Sequence, residues 1–398
     1  RPLADDAGSA PVDEVLRRAT ATNPADRYET VADLVRAWHR AVADPRADAL
    51  RTTGRFAPAS PARAGSQTVA SLPAVAANPF KGLRAFREAD ATEFHGRDAL
   101  VERLIATVAS EPFVAVVGPS GSGKSSLVHA GLVPALRRRG ALVISMVPGA
   151  DPVAELETAL RGVANTEVGS TISARLRKPE GLARLAVELA PEGDELVLVV
   201  DQCEGLWTLV DSHRARDRFA GLLARGAREP GRLRIVTTLR ADLYDRPLQH
   251  PGLGELVSAS TFAVTPMSSS ELADAIERPA GQLGVRFEPG LVATMVSEVS
   301  RQPGSLPLMQ FTLTELYEQR VDATITVAAY ELLGGIGGAL ATRAEAIHED
   351  LDPDGRDDLR QLFSLLVSTD HDSGDLRRRA TIEELEGIDR DVIERCRQ

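Results

Sequence analysis

Gly118-Pro-Ser-Gly-Ser-Gly-Lys124-Ser125 fills every fixed position of the template G-x-x-x-x-G-K-[ST]. The flanking residues supply the context that such a loop needs. Phe113-Val-Ala-Val-Val117 before it is a short, β-rich apolar run, and Ser126-Leu-Val-His-Ala-Gly-Leu-Val133 after it has a helical pattern. Glycines let the backbone wrap there, so that its N–H groups converge on phosphate oxygens at the positive end of the following helix. Gly118, Pro119, Ser120, Gly121, Ser122, Gly123 and Ser126 form the candidate cradle. Lys124 is placed to reach β- and γ-phosphates, and the Ser125 hydroxyl to ligate Mg²⁺. The alternative is a Gly/Ser-rich turn that binds nothing. Lysine is so scarce here (Lys81, Lys124 and Lys178 only) that a chance match is rare.

Two further runs carry nucleotide chemistry. Glu195-Leu-Val-Leu-Val-Val200 is the continuous apolar strand expected when both faces of a parallel sheet are covered. Asp201 at its carboxyl end is placed to hold Mg²⁺ through water, and Glu204 three residues on to polarise an attacking water. An ordinary buried strand ending in a capping Asp is the alternative. Leu233-Arg-Ile-Val-Thr-Thr-Leu239 is a second such strand, ending in Arg240. A planar guanidinium there suits γ-phosphate oxygens, unless it merely pairs with Asp242 or Asp245.

Around these runs the chain divides into five expected segments. Residues 1–43 read as short helices around Asn23-Pro24. Residues 44–79 form an expected disordered Pro/Ala-rich linker, without the periodic apolar residues needed to pack. Residues 80–267 alternate strands and helices, with strands near 113–117, 141–147, 195–200, 233–238 and 260–264, which predicts an α/β parallel sheet flanked by helices. Residues 268–352 read as an all-α bundle in which strands stop, with helices near 269–280, 289–301, 306–319, 327–333 and 336–350. Residues 353–398 form a shorter mixed segment.

Composition narrows the function. The 398 residues are 43% hydrophobic and 26% charged, ordinary for a globular protein, and the net charge of −11 disfavours a nucleic-acid surface over the whole chain. Cys203 and Cys396 are too few and too separated for a disulfide or zinc framework, which suits a reducing cytoplasm. No apolar run approaches membrane-spanning length. Arg1 in place of Met reads as the start of a piece of a longer protein.

Together these motifs resemble the STAND class of signal-transducing P-loop ATPases, in particular a bacterial branch whose members often end in β-propeller repeats. The matching segments are Asn78-Pro-Phe-Lys-Gly-Leu-Arg-Ala-Phe86, Phe94-His-Gly96-Arg97-Asp98, the phosphate loop, Val199-Val-Asp201-Gln-Cys-Glu204, Thr238-Leu-Arg240-Ala-Asp242, Pro303-Gly-Ser-Leu-Pro307-Leu308 and Tyr330-Glu-Leu-Leu-Gly-Gly335-Ile-Gly-Gly338-Ala-Leu340. The resemblance implies that Phe94, Gly96 and Arg97 line the adenine site and that Pro307 touches the nucleotide in a closed state. Similar proteins tend to carry an aromatic and a second acid where this chain has Cys203 and Gly205, which puts the rate of hydrolysis in question more than binding.

The two ends resemble parts of other domains. Val15–Leu34, with Arg27 in it, is similar to the last helices of a bacterial Ser/Thr protein kinase, but no H-R-D-x-x-x-x-N or D-F-G motif is present and no kinase activity is expected. Residues 355–398 have the pattern of a partial winged helix, with Leu359–Val367 as a helix and another from near Thr381. Glu383, Glu384 and Glu386 stand where a DNA-reading helix would begin, so an intramolecular latch is expected and direct nucleic-acid binding is not.

The reading is an ATP/ADP-gated switch that uses Mg²⁺ and hydrolyses ATP slowly. It would be monomeric with ADP, able to self-associate when active, and coupled to an N-terminal effector and a C-terminal sensor lying outside this sequence. The alternatives are a nucleotide-binding scaffold that does not hydrolyse and a general P-loop ATPase.

Overall fold

The structure is a computed structural model and describes residues 78–398 apart from 191–192, 303, 371–373, 378–379, 381–383, 386 and 397–398. The kinase-like helices, the linker up to residue 77 and the expected helix start at Thr381 lie outside the described residues.

Five parallel strands form the central sheet: β1 (Phe113–Gly118), β2 (Leu142–Met146), β3 (Leu196–Val200), β4 (Leu233–Arg240) and β5 (Thr261–Ala263). Their order is β2-β3-β4-β1-β5, so β4 separates β1 from β3. The alternation of side chains along each strand builds a core on both faces. Phe113, Ala115 and Val117 of β1 join Leu196, Leu198 and Val200 of β3 on one face. Val114 and Val116 join Val197 and Val199 on the other. Helices Pro152–Arg161, Gly181–Leu189 and His213–Arg228 cover the first face, and Asp98–Ser110 the second. Each fully buried Val or Leu contributes roughly 1.5–3 kcal/mol. That burial requirement is why β1 and β3 are continuous apolar runs, whereas β2, β4 and β5 carry polar residues such as Ser145, Arg234, Thr237 and Thr261.

After β5, Ser268 opens the next helix, Ser269–Gln282, with a reciprocal capping box to Glu271. Helices Leu291–Arg301, Leu306–Glu318, Val327–Leu332 and Gly335–Asp350 follow. They share a separate core that includes Ile276, Met295, Leu313, Leu316, Tyr317 and Ile336.

Strands do not stop at 268, as the sequence predicts. Arg286–Phe287 (β6) pairs in parallel with Thr324–Ile325 (β7) inside the bundle, and Val367–Asp370 (β8) pairs antiparallel with Gly374–Arg377 (β9). β6 and β7, two residues each, are too short to show a period of two, which is why the pattern missed that pair. The hairpin lies between helices Pro353–Leu366 and Arg390–Arg395.

A strap precedes the sheet. Asn78 Nδ2 donates to the Thr314 carbonyl and to Glu318, and Phe80 packs edge-on against Tyr317 within the bundle core. Eight residues beyond Asn78, the Phe86 backbone N–H donates to Ser126 Oγ, just past the phosphate loop, and the Phe86 ring meets Phe94. Between them, Lys81 and Arg84 both pair with Asp90. The strap thus runs from bundle to sheet. Among the described residues no helix is long and apolar enough to cross a membrane.

Candidate functional site

The loop after β1 turns back on itself through Gly121 and Gly123, both at positive φ, and Gly123 caps the helix that starts at Lys124. This helix runs as Lys124–Ser126, a π-helical turn over Leu127–Leu132, and Val133–Arg138. Lys124 is 9% exposed and folds over the loop, donating from Nζ to the Gly118 and Pro119 carbonyls at 2.9 and 2.8 Å. Burial lowers its pKa, against the pull of the nearby Glu204 carboxylate.

Asp201 sits two strands from β1 in the sheet order, yet its side chain reaches the loop. Its Oδ1 accepts hydrogen bonds from Ser125 Oγ at 2.9 Å, Thr238 Oγ1 at 2.6 Å and the Gln202 N–H at 3.1 Å. Its Oδ2 lies 3.1 Å from His129 Nε2. Burial works against its charge, but the hydrogen bonds from His129, Thr238 and Ser125 prevail and hold the carboxyl below its ordinary range. Gln202 takes a positive φ of 54°, outside the usual range for a residue with a Cβ, and its N–H also donates to Thr238 Oγ1 at 2.8 Å. This twist after β3 turns the chain so that Glu204 comes to line the cleft.

Glu204 Oε2 is buried without a hydrogen-bond partner, and burial raises its pKa. Ser122 Oγ, in the loop itself, is likewise buried and unpartnered. Such orphaned polar atoms cost free energy unless something completes them, and both belong to residues lining one cleft. Gly205 is closely packed: a Cβ there would lie 3.0 Å from the Pro148 carbonyl. Cys203 is fully buried, and burial pushes its thiol up to about 12, so it is an inert core residue.

The cleft has a volume of about 320 Å³. Three pieces of chain wall it: the loop from Ser120 to Ser126, the strap from Gly82 to Phe86, and the bundle through Met267, Ala275, Leu306, Pro307, Met309 and Gln310. Glu93, Phe94, His95, Arg97, Gln202, Glu204, Thr238 and Arg240 complete it. At the seam, backbone meets backbone. A Cβ on Gly121 would fall 2.4 Å from the Gly304 carbonyl oxygen, and one on Gly304 3.1 Å from the Ser120 carbonyl. Pro307 stands in the first turn of its helix, a position that suits proline by itself, and also faces the cleft.

The expected site residues therefore fall into two groups. Phe94, Arg97, Ser120, Gly121, Ser122, Gly123, Lys124, Ser125, Ser126, Glu204, Arg240 and Pro307 line the cleft. Gly96, Gly118, Pro119 and Asp201 stand behind it. Gly96 is pressed against the Glu271 backbone, and Gly118 and Pro119 hold Lys124. Arg97 is buried and braces the loop, donating to the Thr265 carbonyl at 2.9 Å and the Ser122 carbonyl at 3.4 Å. Arg240 is forked onto Asp242 at 3.1 and 2.7 Å, the pairing that stands as the alternative to a phosphate sensor. Sequence reasoning assigned no role to His129, Thr238 or the strap. His129 is four residues past Ser125, on the same helix face, and Thr238 is a hydroxyl two residues before the strand-end Arg240; those were the available signals.

The set fits a nucleotide with its metal. A Gly-rich loop at a helix start, a buried lysine, and a serine hydroxyl bonded to a strand-end carboxylate are the parts that Mg²⁺-bound phosphates use, and Mg²⁺ needs few protein ligands because phosphates and water fill the rest. Fold and site together define a P-loop NTPase. The chain belongs to the family Novel STAND NTPase 1, whose model matches residues 79–398. No curated protein matches the sequence. Among solved structures, the chain is similar to the Walker-type ATPase PABY2304 of Pyrococcus abyssi (14% identity, TM-score 0.45, covering 79% of this chain and 91% of that one). It is also similar to the ORC1 protein of Aeropyrum pernix solved in complex with DNA (19% identity, TM-score 0.44, covering 76% and 77%). Likeness at these scores says nothing about function.

Proposed function

We propose that this chain is an ATP/ADP-gated signalling switch that hydrolyses ATP slowly with Mg²⁺. The observation that carries the reading is the three-sided cleft: a nucleotide seated on the phosphate loop would touch the bundle at Leu306 and Pro307 and the strap at Gly82–Phe86. A ligand shifts a conformational equilibrium only by its differential affinity for the states, and a site shared by three movable pieces supplies that difference. ADP would favour the closed arrangement; ATP would favour one in which bundle and sheet part and copies of the chain associate. Residues 353–398, read as a partial winged helix, would act as a latch on that motion.

Each side chain has a role in this scheme. The loop N–H groups and Lys124 bind the phosphates, with Lys124 exchanging the Gly118 and Pro119 carbonyls for phosphate oxygens. Phe94 and Arg97 shape the base end. Glu204 accepts a proton from the attacking water, and its raised pKa brings it closer to neutrality, where a general base works best. Mg²⁺, held by Ser125 and through Asp201, would offset charge on the β- and γ-phosphates. Arg240 must leave Asp242 to reach a γ-phosphate, which supports slow turnover. A cytoplasmic setting, an N-terminal effector and a C-terminal sensor complete the proposal.

The test is nucleotide content and single-turnover hydrolysis on purified protein, with light scattering in ADP and in ATP. Tightly held nucleotide, slow loss of the γ-phosphate and a monomer in ADP are expected. Rapid multiple turnover, or a stable oligomer in ADP, overturns the switch.

A further inference from the structure

We infer that His129 is a positioning residue that sets the metal-facing oxygen of Asp201; the inference rests on the proposed Mg²⁺–nucleotide reading. Asp201 Oδ1 is saturated, since Ser125, Thr238 and the Gln202 N–H all donate to it. An ionised carboxylate has about four lone-pair sites, so only Oδ2 retains capacity for a metal-bound water. Among the described residues the one hydrogen-bond partner of Oδ2 is His129 Nε2, at 3.1 Å. With the proton on Nε2, the imidazole donates to one lone pair of Oδ2 and leaves the other unused among the described residues. Held from both ends, the carboxylate cannot rotate about its last torsion.

The local backbone is built around this contact. His129 lies one turn after Ser125, within the π-helical turn Leu127–Leu132. A π turn is a rare departure from the α-helix and is frequent at functional sites. Here the two residues that meet Asp201 from the helix, Ser125 and His129, address its two different oxygens. The His129 side chain is 23% exposed against 7% for Asp201, so the pair stands at the inner edge of the site rather than deep in the core. Residues that orient a metal's ligands in this way typically change metal affinity by about 10–100-fold when removed.

Two variants of the full chain test this. His129→Ala removes the donor, whereas His129→Gln places an amide N–H about where Nε2 was. The readouts are calorimetric ADP affinity in EDTA, the Mg²⁺ concentration that half-maximally tightens ADP, and ¹⁵N NMR of the His129 ring without metal or nucleotide. The ring should show a proton on Nε2. His129→Ala should raise the Mg²⁺ midpoint roughly ten-fold or more, while ADP affinity in EDTA stays within about two-fold. His129→Gln should recover most of the loss. A Mg²⁺ midpoint unmoved by His129→Ala, a loss of equal size in EDTA, failure of Gln to rescue, or a ring protonated on Nδ1 alone would each overturn the inference and leave the proposed function standing. A parent protein with no Mg²⁺-linked nucleotide binding would sink the proposed function, and this inference with it.

Discussion

Gly121→Ala should open the seam between the phosphate loop and the bundle, and its size can be worked from the geometry. Gly121 has φ of +72°, and Gly123 two residues on has +85°, so alanine at either site meets the left-handed backbone penalty of about 1–2 kcal/mol. Beyond that they differ. At Gly123 the nearest neighbour of a new Cβ is a Leu306 methyl at 3.9 Å, ordinary contact. At Gly121 it is the Gly304 carbonyl oxygen at 2.4 Å, and backbone must retreat by about 1 Å before a 3.4 Å contact is restored. Overpacking of this kind costs about 1–3 kcal/mol, or a factor of about 5 to 140 in a rate that depends on the seam, at 1.4 kcal/mol per ten-fold. We expect nucleotide-free Gly121→Ala to melt lower than Gly123→Ala, and a fluorescent ADP to leave it faster by that factor. Gly304→Ala, outside the phosphate loop but on the same seam, should raise the off-rate too, and the double variant should show less than the sum of the two effects because the first already parts the surfaces. If Gly121→Ala and Gly304→Ala release ADP no faster than Gly123→Ala, the seam does not hold the nucleotide.

Three other outcomes are expected. Lys124→Ala should weaken ATP and ADP binding by about 10–100-fold with little change in melting, because the lysine serves phosphates and loop carbonyls rather than the core; calorimetry checks it. Glu204→Gln should keep nucleotide affinity and slow single-turnover hydrolysis by about 10²-fold or more. Because burial raises the Glu204 pKa, the folded state binds the extra proton between about 4.3 and that higher value, so the parent loses stability as pH rises through this window. Glu204→Gln should therefore gain melting temperature relative to the parent as pH climbs from 4 to 7, and a gain independent of pH would contradict the buried charge. Asp90→Asn should lower melting by a few degrees at neutral pH, since the hydrogen bond from Arg84 holds the Asp90 carboxyl well below the usual range. Stability from such a depressed group is present above its unfolded pKa and lost as pH falls, so the difference from the parent should shrink below about pH 4 in a thermal-melt series.

β3 was legible because it is buried on both faces along its whole length and carries no polar side chain: Leu196–Val200 could hardly have been anything else. The phosphate loop was legible because wrapping backbone around phosphate demands glycine at fixed positions. What escaped were features without a period or with one too short to read. Six residues of π turn cannot be told from α-helix by their apolar spacing, and so His129 had no role within the helical pattern Ser126–Val133. The strap Asn78–Phe86 has no repeating pattern at all; its contacts are to Thr314, Tyr317 and Ser126, far away in sequence. Arg240 illustrates a third limit. Residue type and strand end fit both a phosphate sensor and a partner for Asp242, and only the rotamer separates them.

The strand order carries a consequence for how the protein is made. Among the described residues β1 bonds to β4 and β5 alone, both of which come later in the chain, while β2 and β3 pair with each other. A ribosome working at roughly 5–20 residues per second would release Phe113–Gly118 on the order of ten seconds before Leu233–Arg240 appears. Throughout that interval the most apolar part of the nucleotide site would have two bare edges, the condition in which strands find wrong partners. The Gly-rich loop is thus completed by some of the last pieces of the sheet to be synthesised, and a chain halted before residue 233 would carry every residue of that loop without either strand that flanks β1.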